Sequence, residues 1–225
     1  MKISKDTFAI LRNFAAINQS LRFMPGNVIM TAVGGQAKDF YAVATVAETF
    51  PVDCAIYDLK RFRECASLFT DPDFNFMDKS VEITDGKGNF NYVYCNPEIL
   101  DAPDYKKKIS VKTPLATFEL KYSQIKQAND AASILDCPDV LIRADGGEIT
   151  MTALDESNDS ADTFRIVIAE GVECPDFVSK YSIEKLRKLI DADYIVTIAE
   201  KIITEFRSQN VTYYTGGEIK ITGKE

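Results

Sequence analysis

Apolar side chains recur along this chain in two different rhythms, one typical of helices and one typical of strands. Helical spacing predicts four amphipathic helices, at residues 6–17, 58–69, 122–134 and 182–191. Short alternating or β-branched runs predict strands at 21–24, 28–31, 39–44, 52–56, 73–77, 81–85, 89–94, a segment ending near 120, 140–143, 148–154, 164–170, 194–199, 202–207, 211–215 and 218–222. The pattern therefore predicts an α+β fold.

The order of predicted elements is the same in both halves, and a short sequence match supports an internal repeat. Tyr57–Arg63 and Tyr181–Arg187 agree in character at every position and lie 124 residues apart. At the first helix Phe8 corresponds to Ile125, an offset of 117 residues. We therefore expect two copies of one supersecondary unit.

A proline-containing stretch separates the two copies. Residues 96–114 contain Pro97, Pro103 and Pro114 and interrupt the alternation of apolar and polar positions. This stretch is predicted to be a connector between an N-terminal domain, residues 1–110, and a C-terminal domain, residues 111–225.

The charge of the chain is unevenly distributed between the predicted helices and the remainder. The formal net charge is −8, which would repel nucleic acid if it were uniform. The segments 5–17, 58–69, 121–134 and 182–191 nevertheless hold ten basic and six acidic residues, a net charge of +4, so the rest of the chain carries −12. Basic helices that line a hole would contact DNA phosphates without discriminating between base sequences.

Several classes of chemistry have little support in the sequence. There is no histidine, the commonest general base and metal ligand, and no phosphate-binding loop. The five cysteines are scattered without a Cys-x-x-Cys pair, so we expect free thiols. No metal, cofactor, catalytic residue or membrane span is predicted. The alternatives are a small acidic hydrolase or nucleotide-binding enzyme of α+β type, and an adaptor without DNA contact.

Two stretches of sequence carry a resemblance to a known family. Met1–Thr7, Asn13–Ala15 and Ile17–Asn18, together with Ala55–Leu59, resemble the corresponding segments of the sliding clamps of T-even-type bacteriophages. These clamps are processivity factors of DNA polymerase. The specific match covers about the first 70 residues, and the remainder is similar in layout.

The resemblance implies a fold, an assembly and a set of partners. The fold would be the DNA clamp fold, in which each of two similar domains packs two helices on antiparallel sheets. Three subunits would form a ring around duplex DNA. An ATP-dependent clamp loader would open the ring, and the polymerase would attach through a short C-terminal peptide. The clamp would also assist late viral transcription. It would act without catalysis, in the cytoplasm of the infected bacterial host.

The resemblance also implies roles for individual residues. The predicted DNA channel residues are Lys5, Arg12, Lys60, Arg61, Arg63, Lys121, Lys126, Lys185 and Lys188. Asp130 departs from the basic pattern of the family and weakens the third helix as a channel wall. The residues predicted for the partner-peptide pocket are Ile99, Leu100 and Tyr105, whose alternative role is to pack the connector against the domain.

Overall fold

The computed structural model describes residues 1–34, 39–106, 109–155, 158, 161–200 and 203–222. The chain divides into two compact units, Met1–Lys108 and Ile109–Glu225. The domain limits 1–110 and 111–225 stay predictions, and residues 107 and 108 of the predicted connector lie outside the described part.

The first unit starts with a helix and has its second helix between two groups of strands. Its elements are α1 (Lys5–Ile17), β1 (Leu21–Phe23), β2 (Gly26–Ala32), β3 (Phe40–Phe50), β4 (Cys54–Ile56), α2 (Leu59–Ser67), β5 (Asp73–Phe76), β6 (Ser80–Thr84) and β7 (Asn89–Val93). A short 3₁₀ helix, Pro97–Ile99, follows in the predicted connector.

The second unit repeats this order with one additional strand at each end. Its elements are β8 (Pro114–Leu120), α3 (Tyr122–Ile134), β9 (Asp139–Asp145), β10 (Glu148–Leu154), β11 (Phe164–Ala169), β12 (Phe177–Ser182), α4 (Ile183–Leu186), β13 (Tyr194–Ala199), β14 (Ile203–Arg207), β15 (Val211–Gly216) and β16 (Glu218–Ile221). Helix α3 starts 117 residues after α1 and has the same length of 13 residues.

Strand pairing is similar in the two units, but β9 also pairs with β10 and joins two pairs in one sheet, whereas the pairs β1–β4 and β2–β3 lie in separate sheets. In the first unit β1 pairs with β4, β2 with β3, and β5–β6–β7 form a meander, all antiparallel. In the second unit the matching pairs are β9 with β12 and β10 with β11, while β8, β13, β14 and β15 follow one another in a sheet. The predicted α+β class with antiparallel sheets is confirmed.

Both cores lie between helices and sheets and are rich in aromatic rings. In the first unit the ring of Phe62 on α2 lies 6.3 Å from Phe23, 6.1 Å from Phe74 and 5.4 Å from Tyr92. In the second unit Phe206 packs edge-on against Tyr181 and Tyr194. Such rings bury large apolar areas, which dominates the stability of a core.

Several sequence-based element limits need correction. Strand β3 continues to Phe50, beyond the predicted end at 44, because Ala42, Ala44, Val46 and Phe50 keep alternating into the core. The sequence pattern does not predict strand β12, because Ser179 occupies a fully buried position and hides the alternation of apolar residues. The predicted start of β14 at 202 lies outside the described residues.

The predicted fourth helix at 182–191 is wrong in its length. Regular α-helix covers four residues, and the amides of Lys188 and Leu189 then bond to carbonyls three residues back. The next amide, of Ile190, bonds to the Tyr213 hydroxyl. The tighter turns still bury Leu186 and Leu189, so they satisfy the same apolar spacing.

Candidate nucleic-acid interface

Helix α1 places two basic residues on the face that points away from the core. Ser4 caps the helix by accepting a hydrogen bond from the Thr7 amide. Leu11 and Phe14 are fully buried, whereas Lys5 and Arg12 are exposed. The exposed positions between and beyond them, 9 and 16, are alanines, so a large anion could approach this face closely.

Helix α2 carries further basic residues in the same unit. Asp58 caps the helix through a 2.8 Å hydrogen bond from the Arg61 amide to its Oδ1. Lys60 and Arg61 are exposed, and Arg63 is half-buried. Lys60 lies 3.8 Å from Glu64, which is a loose ion pair between two exposed side chains. Helix α2 therefore adds three basic side chains, of which two form no salt bridge within the described part of the chain.

Arg12 on α1 and Arg63 on α2 influence each other electrostatically. Burial, and then the positive charge of Arg12, lower the pKa of Arg63. The Arg63 Nε is buried and makes no hydrogen bond within the described part of the chain. The negative charge of Glu64 acts in the opposite direction and raises the pKa of Arg63. The sequence gives no signal for the effect of Arg12 on Arg63, since it depends on the packing of two helices.

The basic residues of α3 are held by carboxylates of the same unit. Lys121 precedes the helix, and its Nζ lies 3.2 Å from Asp193 and 3.5 Å from Glu119. The hydrogen bond to Asp193 raises the pKa of Lys121. Lys126 Nζ lies 2.6 Å from Asp130 Oδ2, one helical turn away, and this bond raises the pKa of Lys126. Asp130 therefore neutralises Lys126, the weakness that the sequence suggests.

The basic residues near α4 also have partners in the second unit. Lys185 Nζ donates a 3.2 Å hydrogen bond to the Gly216 carbonyl. Lys188 is half-buried, and its side chain also interacts with another part of the protein. Arg187, which the sequence-based set omits, donates a 2.6 Å hydrogen bond from Nη2 to Ser133 Oγ. The predicted channel residues of this unit are therefore less available to an external anion.

The three connector residues predicted for a peptide pocket lie in different surroundings. Ile99 is 60% exposed, and Leu100 is half-buried. The hydroxyl of Tyr105 donates to the Arg22 carbonyl and approaches the Met30 carbonyl at 3.3 Å. Burial raises the pKa of Tyr105. Tyr105 thus holds the connector against β1 and β2, whereas Ile99 is free to contact a partner.

Among the described residues there is neither a cluster of potential metal ligands nor a helix able to span a membrane. They contain no group of three or more Cys, Asp or Glu residues placed to hold a metal ion. No described helix has the length and apolar character needed to cross a membrane. The five cysteines are free, and Cys54, Cys65 and Cys137 are buried.

Comparison with known proteins gives consistent results at the level of sequence and structure. A family model described as DNA polymerase processivity factor matches residues 4–86. The sliding clamp of Vibrio phage KVP40 is 30% identical over 225 residues, covering 97% of this chain and 99% of that protein. The sliding clamp of Enterobacteria phage T4 is 32% identical over 164 residues, covering 72% and 70% respectively. The structure of A. fulgidus PCNA bound to the C-terminal region of FEN-1 has a TM-score of 0.70 at 14% identity, over 94% of both chains.

These similarities extend the resemblance from the first 70 residues to nearly the whole chain. The structural likeness confirms the predicted DNA clamp fold. The alternative of a small acidic hydrolase or nucleotide-binding enzyme has no support in them. The chain belongs to the sliding clamp family, the processivity factors of phage DNA polymerases.

Proposed function

We propose that this clamp works as a homotrimeric ring that encircles duplex DNA and tethers the replicative polymerase, without catalysing a reaction. The observation that carries the proposal is the position of the basic residues, on helix faces opposite the buried faces that pack on the sheets. Helices that line a hole would direct Lys5, Arg12, Lys60, Arg61 and Arg63 at phosphates. The residues of the second unit, Lys121, Lys126, Lys185 and Lys188, would complete the channel wall.

Tethering explains how such a ring would increase DNA synthesis without catalysing a reaction itself. A ring that cannot leave circular DNA keeps its bound polymerase at a high effective concentration near the primer end. Phosphate contacts that do not depend on sequence allow the ring to slide. We further propose that a clamp-loader ATPase opens the ring, that factors for late viral transcription use it, and that it acts in the cytoplasm of the infected host.

Exposed apolar residues at two strand edges support ring assembly. Strand β7 ends the meander of the first unit, and Val93 on it is 66% exposed, while Leu68 at the end of α2 is 69% exposed. Strand β11 ends the five-stranded sheet of the second unit, where Val167 is 41% exposed and Ile134 at the end of α3 is 82% exposed. We propose that these unlike surfaces meet between neighbouring subunits, the head-to-tail contact from which closed rings are built.

Light scattering of two matched variants tests the ring. The wild type should have about three times the 25.1 kDa mass of one chain. Ile134→Glu places a charge in the proposed contact and should shift the mass toward one chain at equal concentration. Ile99→Glu changes an exposed isoleucine outside that contact and should stay trimeric. A monomeric wild type, or equal masses for the two variants, would contradict the proposal.

Retention on circular DNA tests the topological mechanism. Clamp loaded on nicked circular DNA should remain bound when about 200 mM salt weakens phosphate contacts, and should dissociate once the DNA is linearised. The loaded clamp should also stimulate its cognate polymerase on primed circular DNA. Equal retention on circular and linear DNA would show simple binding in place of encirclement.

Ile99 gives a test of polymerase attachment in the same assays. Since Ile99 is an exposed apolar side chain of the connector, Ile99→Glu should load normally and stimulate the polymerase less. The C-terminal region of FEN-1 bound to A. fulgidus PCNA provides a precedent for a terminal peptide on a clamp. If the trimeric variant stimulated the polymerase normally, the peptide would bind at a site that does not include Ile99.

A further inference from the structure

The side chain of Asn18 joins the end of α1 to the connector. Its Nδ2 donates hydrogen bonds of 2.9 Å to the Ala32 carbonyl, at the end of β2, and of 3.0 Å to the Asp101 carbonyl in the connector. Its Oδ1 accepts from the amide of Ser20 at 2.9 Å and from the Ser20 hydroxyl at 3.1 Å. Both donors and both lone pairs of the side-chain amide are used, so this network fixes the amide in one orientation.

The internal repeat separates this role of Asn18 from the ending of the helix. Asn18 corresponds to Leu135, because each follows a helix of 13 residues and the two helices start 117 residues apart. Their backbone conformations differ, but in both the backbone amide bonds to the carbonyl four residues before it at 2.9 Å. Leu135 has no side-chain donor. The two hydrogen bonds from Asn18 Nδ2 are therefore additional to that backbone bond and belong to the unit that carries the connector.

Ile99 lies between two points at which the connector region is bound to the first unit. Before it, the Cys95 amide donates to the Ala55 carbonyl on β4 at 3.0 Å. After it, the Asp101 carbonyl accepts from Asn18. The short 3₁₀ helix lies between these two points, and its last residue, Ile99, is 60% exposed. An exposed apolar side chain is thus presented on a segment that is held on both sides.

We propose that Asn18 is a positioning residue for the partner peptide, because its amide holds the connector in the conformation that presents Ile99. Asn18 acts through the connector and does not itself contact the peptide. A segment that is ordered before binding loses less conformational entropy when the partner arrives, so the same apolar contact gives a higher affinity. The inference rests on the proposed function, since it requires the C-terminal peptide of the polymerase to contact Ile99.

Hydrogen exchange in the assembled clamp tests whether Asn18 holds the connector. Asn18→Asp keeps the acceptor for Ser20 and removes both donors. The Leu100 amide, which bonds to a carbonyl of the 3₁₀ helix, should then exchange faster. Thr84→Val removes two hydrogen bonds from the turn between β6 and β7 and should leave exchange in the connector unchanged. Unchanged exchange in Asn18→Asp would overturn the inference.

Binding of the fluorescently labelled C-terminal peptide of the cognate polymerase tests the positioning itself. Asn18→Asp should weaken binding about tenfold if the connector then has its binding conformation about a tenth of the time. The loss should appear in the association rate, whereas the dissociation rate should stay within about twofold of the wild type, because the complex keeps the contacts of Ile99. Ile99→Glu removes the contact and should instead raise the dissociation rate. Thr84→Val should bind the peptide as the wild type does.

A second variant covers the case in which Asn18→Asp does not fold. Asn18→Leu introduces the residue that follows α3 in the second unit and adds no charge, so it should show the same loss of association rate. Light scattering and thermal unfolding would establish that each variant is a folded trimer. A raised dissociation rate with an unchanged association rate in either variant would make Asn18 part of the contact surface and overturn its positioning role.

The failure of the inference is distinguishable from the failure of the proposed attachment site. Normal peptide binding by a folded Asn18 variant, together with weak binding by Ile99→Glu, would overturn the inference and leave the proposed function intact. Normal binding by the Asn18 variants and by Ile99→Glu would refute the attachment of the peptide at Ile99, and the positioning role with it.

Discussion

The helices of the two units carry the same formal charge but make it available to different degrees. Segments 5–17 and 58–69 hold five basic and three acidic residues, and so do segments 121–134 and 182–191. In the first unit Lys5, Arg12 and Arg61 form no salt bridge within the described residues, whereas in the second unit Lys121 and Lys126 are bound to carboxylates. A charge count therefore cannot show which half of a subunit contacts DNA, since an ion pair must be broken before its lysine can bind a phosphate.

The two units also share a backbone hydrogen bond at the start of the second helix. Both units bind the first amide of their second helix to the loop after the first helix, Leu59 to the Gln19 carbonyl at 2.8 Å and Ile183 to the Pro138 carbonyl at 2.9 Å. Buried apolar positions of the second helices correspond, whereas Ile10 and Ile17 of α1 are buried and their equivalents in α3, Gln127 and Ile134, are exposed. Caps, tyrosines and surface charges also differ. Matched substitutions at corresponding positions can therefore test which differences affect stability.

The largest expected effect is in the two cores. Phe62→Ala in α2 should lower the free energy of unfolding by about 3–5 kcal/mol, because it leaves a cavity and removes the packing against three aromatic rings. The corresponding Leu186→Ala should cost about 2–4 kcal/mol, because a smaller side chain is removed from a buried site. Urea unfolding at fixed protein concentration measures both.

Hydrogen exchange gives the control for these core variants. We expect the loss of amide protection to be concentrated in the unit that carries the substitution. A larger loss of stability for Leu186→Ala than for Phe62→Ala would show that the aromatic cluster contributes less than its ring packing indicates.

The next largest difference concerns the tyrosine before each second helix. Tyr181 is 1% exposed and shares a 2.6 Å hydrogen bond with buried Thr204, and burial raises the pKa of Tyr181 to about 12. Tyr181→Phe should cost about 1–3 kcal/mol because Thr204 loses its partner. The corresponding Tyr57 is 55% exposed, so Tyr57→Phe should stay within about 0.5 kcal/mol.

Thermal unfolding of the two phenylalanine variants checks this contrast. The double variant Tyr181→Phe with Thr204→Val removes both polar groups and should recover part of the loss. No recovery would mean that the cost arises from packing around the ring and not from the unpaired hydroxyl.

Much of the fold is accessible from the sequence because helix periodicity and caps are local signals. The predicted helix at 122–134 coincides with α3, and the one at 6–17 differs from α1 by one residue. The missed strand β12 and the overlong fourth helix have a common cause. Buried Ser179 breaks the apolar alternation, and the Ile190 amide bonds to a hydroxyl 23 residues away, which no local pattern reveals.

The candidate site is less accessible from the sequence than the fold. Basic residues on helix faces can be selected by spacing, and Lys126 with Asp130 can be seen as an i,i+4 pair. The partner of Lys121, Asp193, lies 72 residues away. Equally, the effect of the Arg12 charge on Arg63 depends on how α1 packs against α2. Which charges are paired is decided by tertiary contacts.

The starts of α1 and α3 are held by carboxylates from distant parts of the chain, and this contrast depends on pH. Glu48 on β3 accepts hydrogen bonds from the Ser4 amide and the Thr7 hydroxyl. Burial alone would raise the pKa of Glu48, but the bonds from Thr7 and Ser4 lower it. Glu48→Gln should cost about 1–2 kcal/mol at neutral pH. In the second unit Asp193 accepts from the Tyr122 amide at 2.8 Å in an exposed position, so Asp193→Asn should have a smaller effect.

The sign of the pH dependence follows from the lowered pKa of Glu48. Its contribution is complete above the pKa of an unfolded glutamate, about 4.3, and is lost as the pH falls through the folded value. The difference in urea midpoint between the wild type and Glu48→Gln should therefore shrink as the pH is lowered from neutral to about 3.5. A difference that stays constant over this range would mean that the charge of Glu48 does not contribute.

The smallest expected difference is at the caps of the second helices. Asp58 accepts the Arg61 amide at 2.8 Å, so Asp58→Ala should cost about 1 kcal/mol. The corresponding Ser182 makes no side-chain cap bond, so Ser182→Ala should stay within about 0.5 kcal/mol. Asp58→Asn keeps an acceptor and removes the charge, so its urea midpoint should stay close to that of the wild type if the hydrogen bond is the cause. A loss in Asp58→Asn equal to that in Asp58→Ala would instead assign the effect to the negative charge at the start of a helix that carries three basic residues.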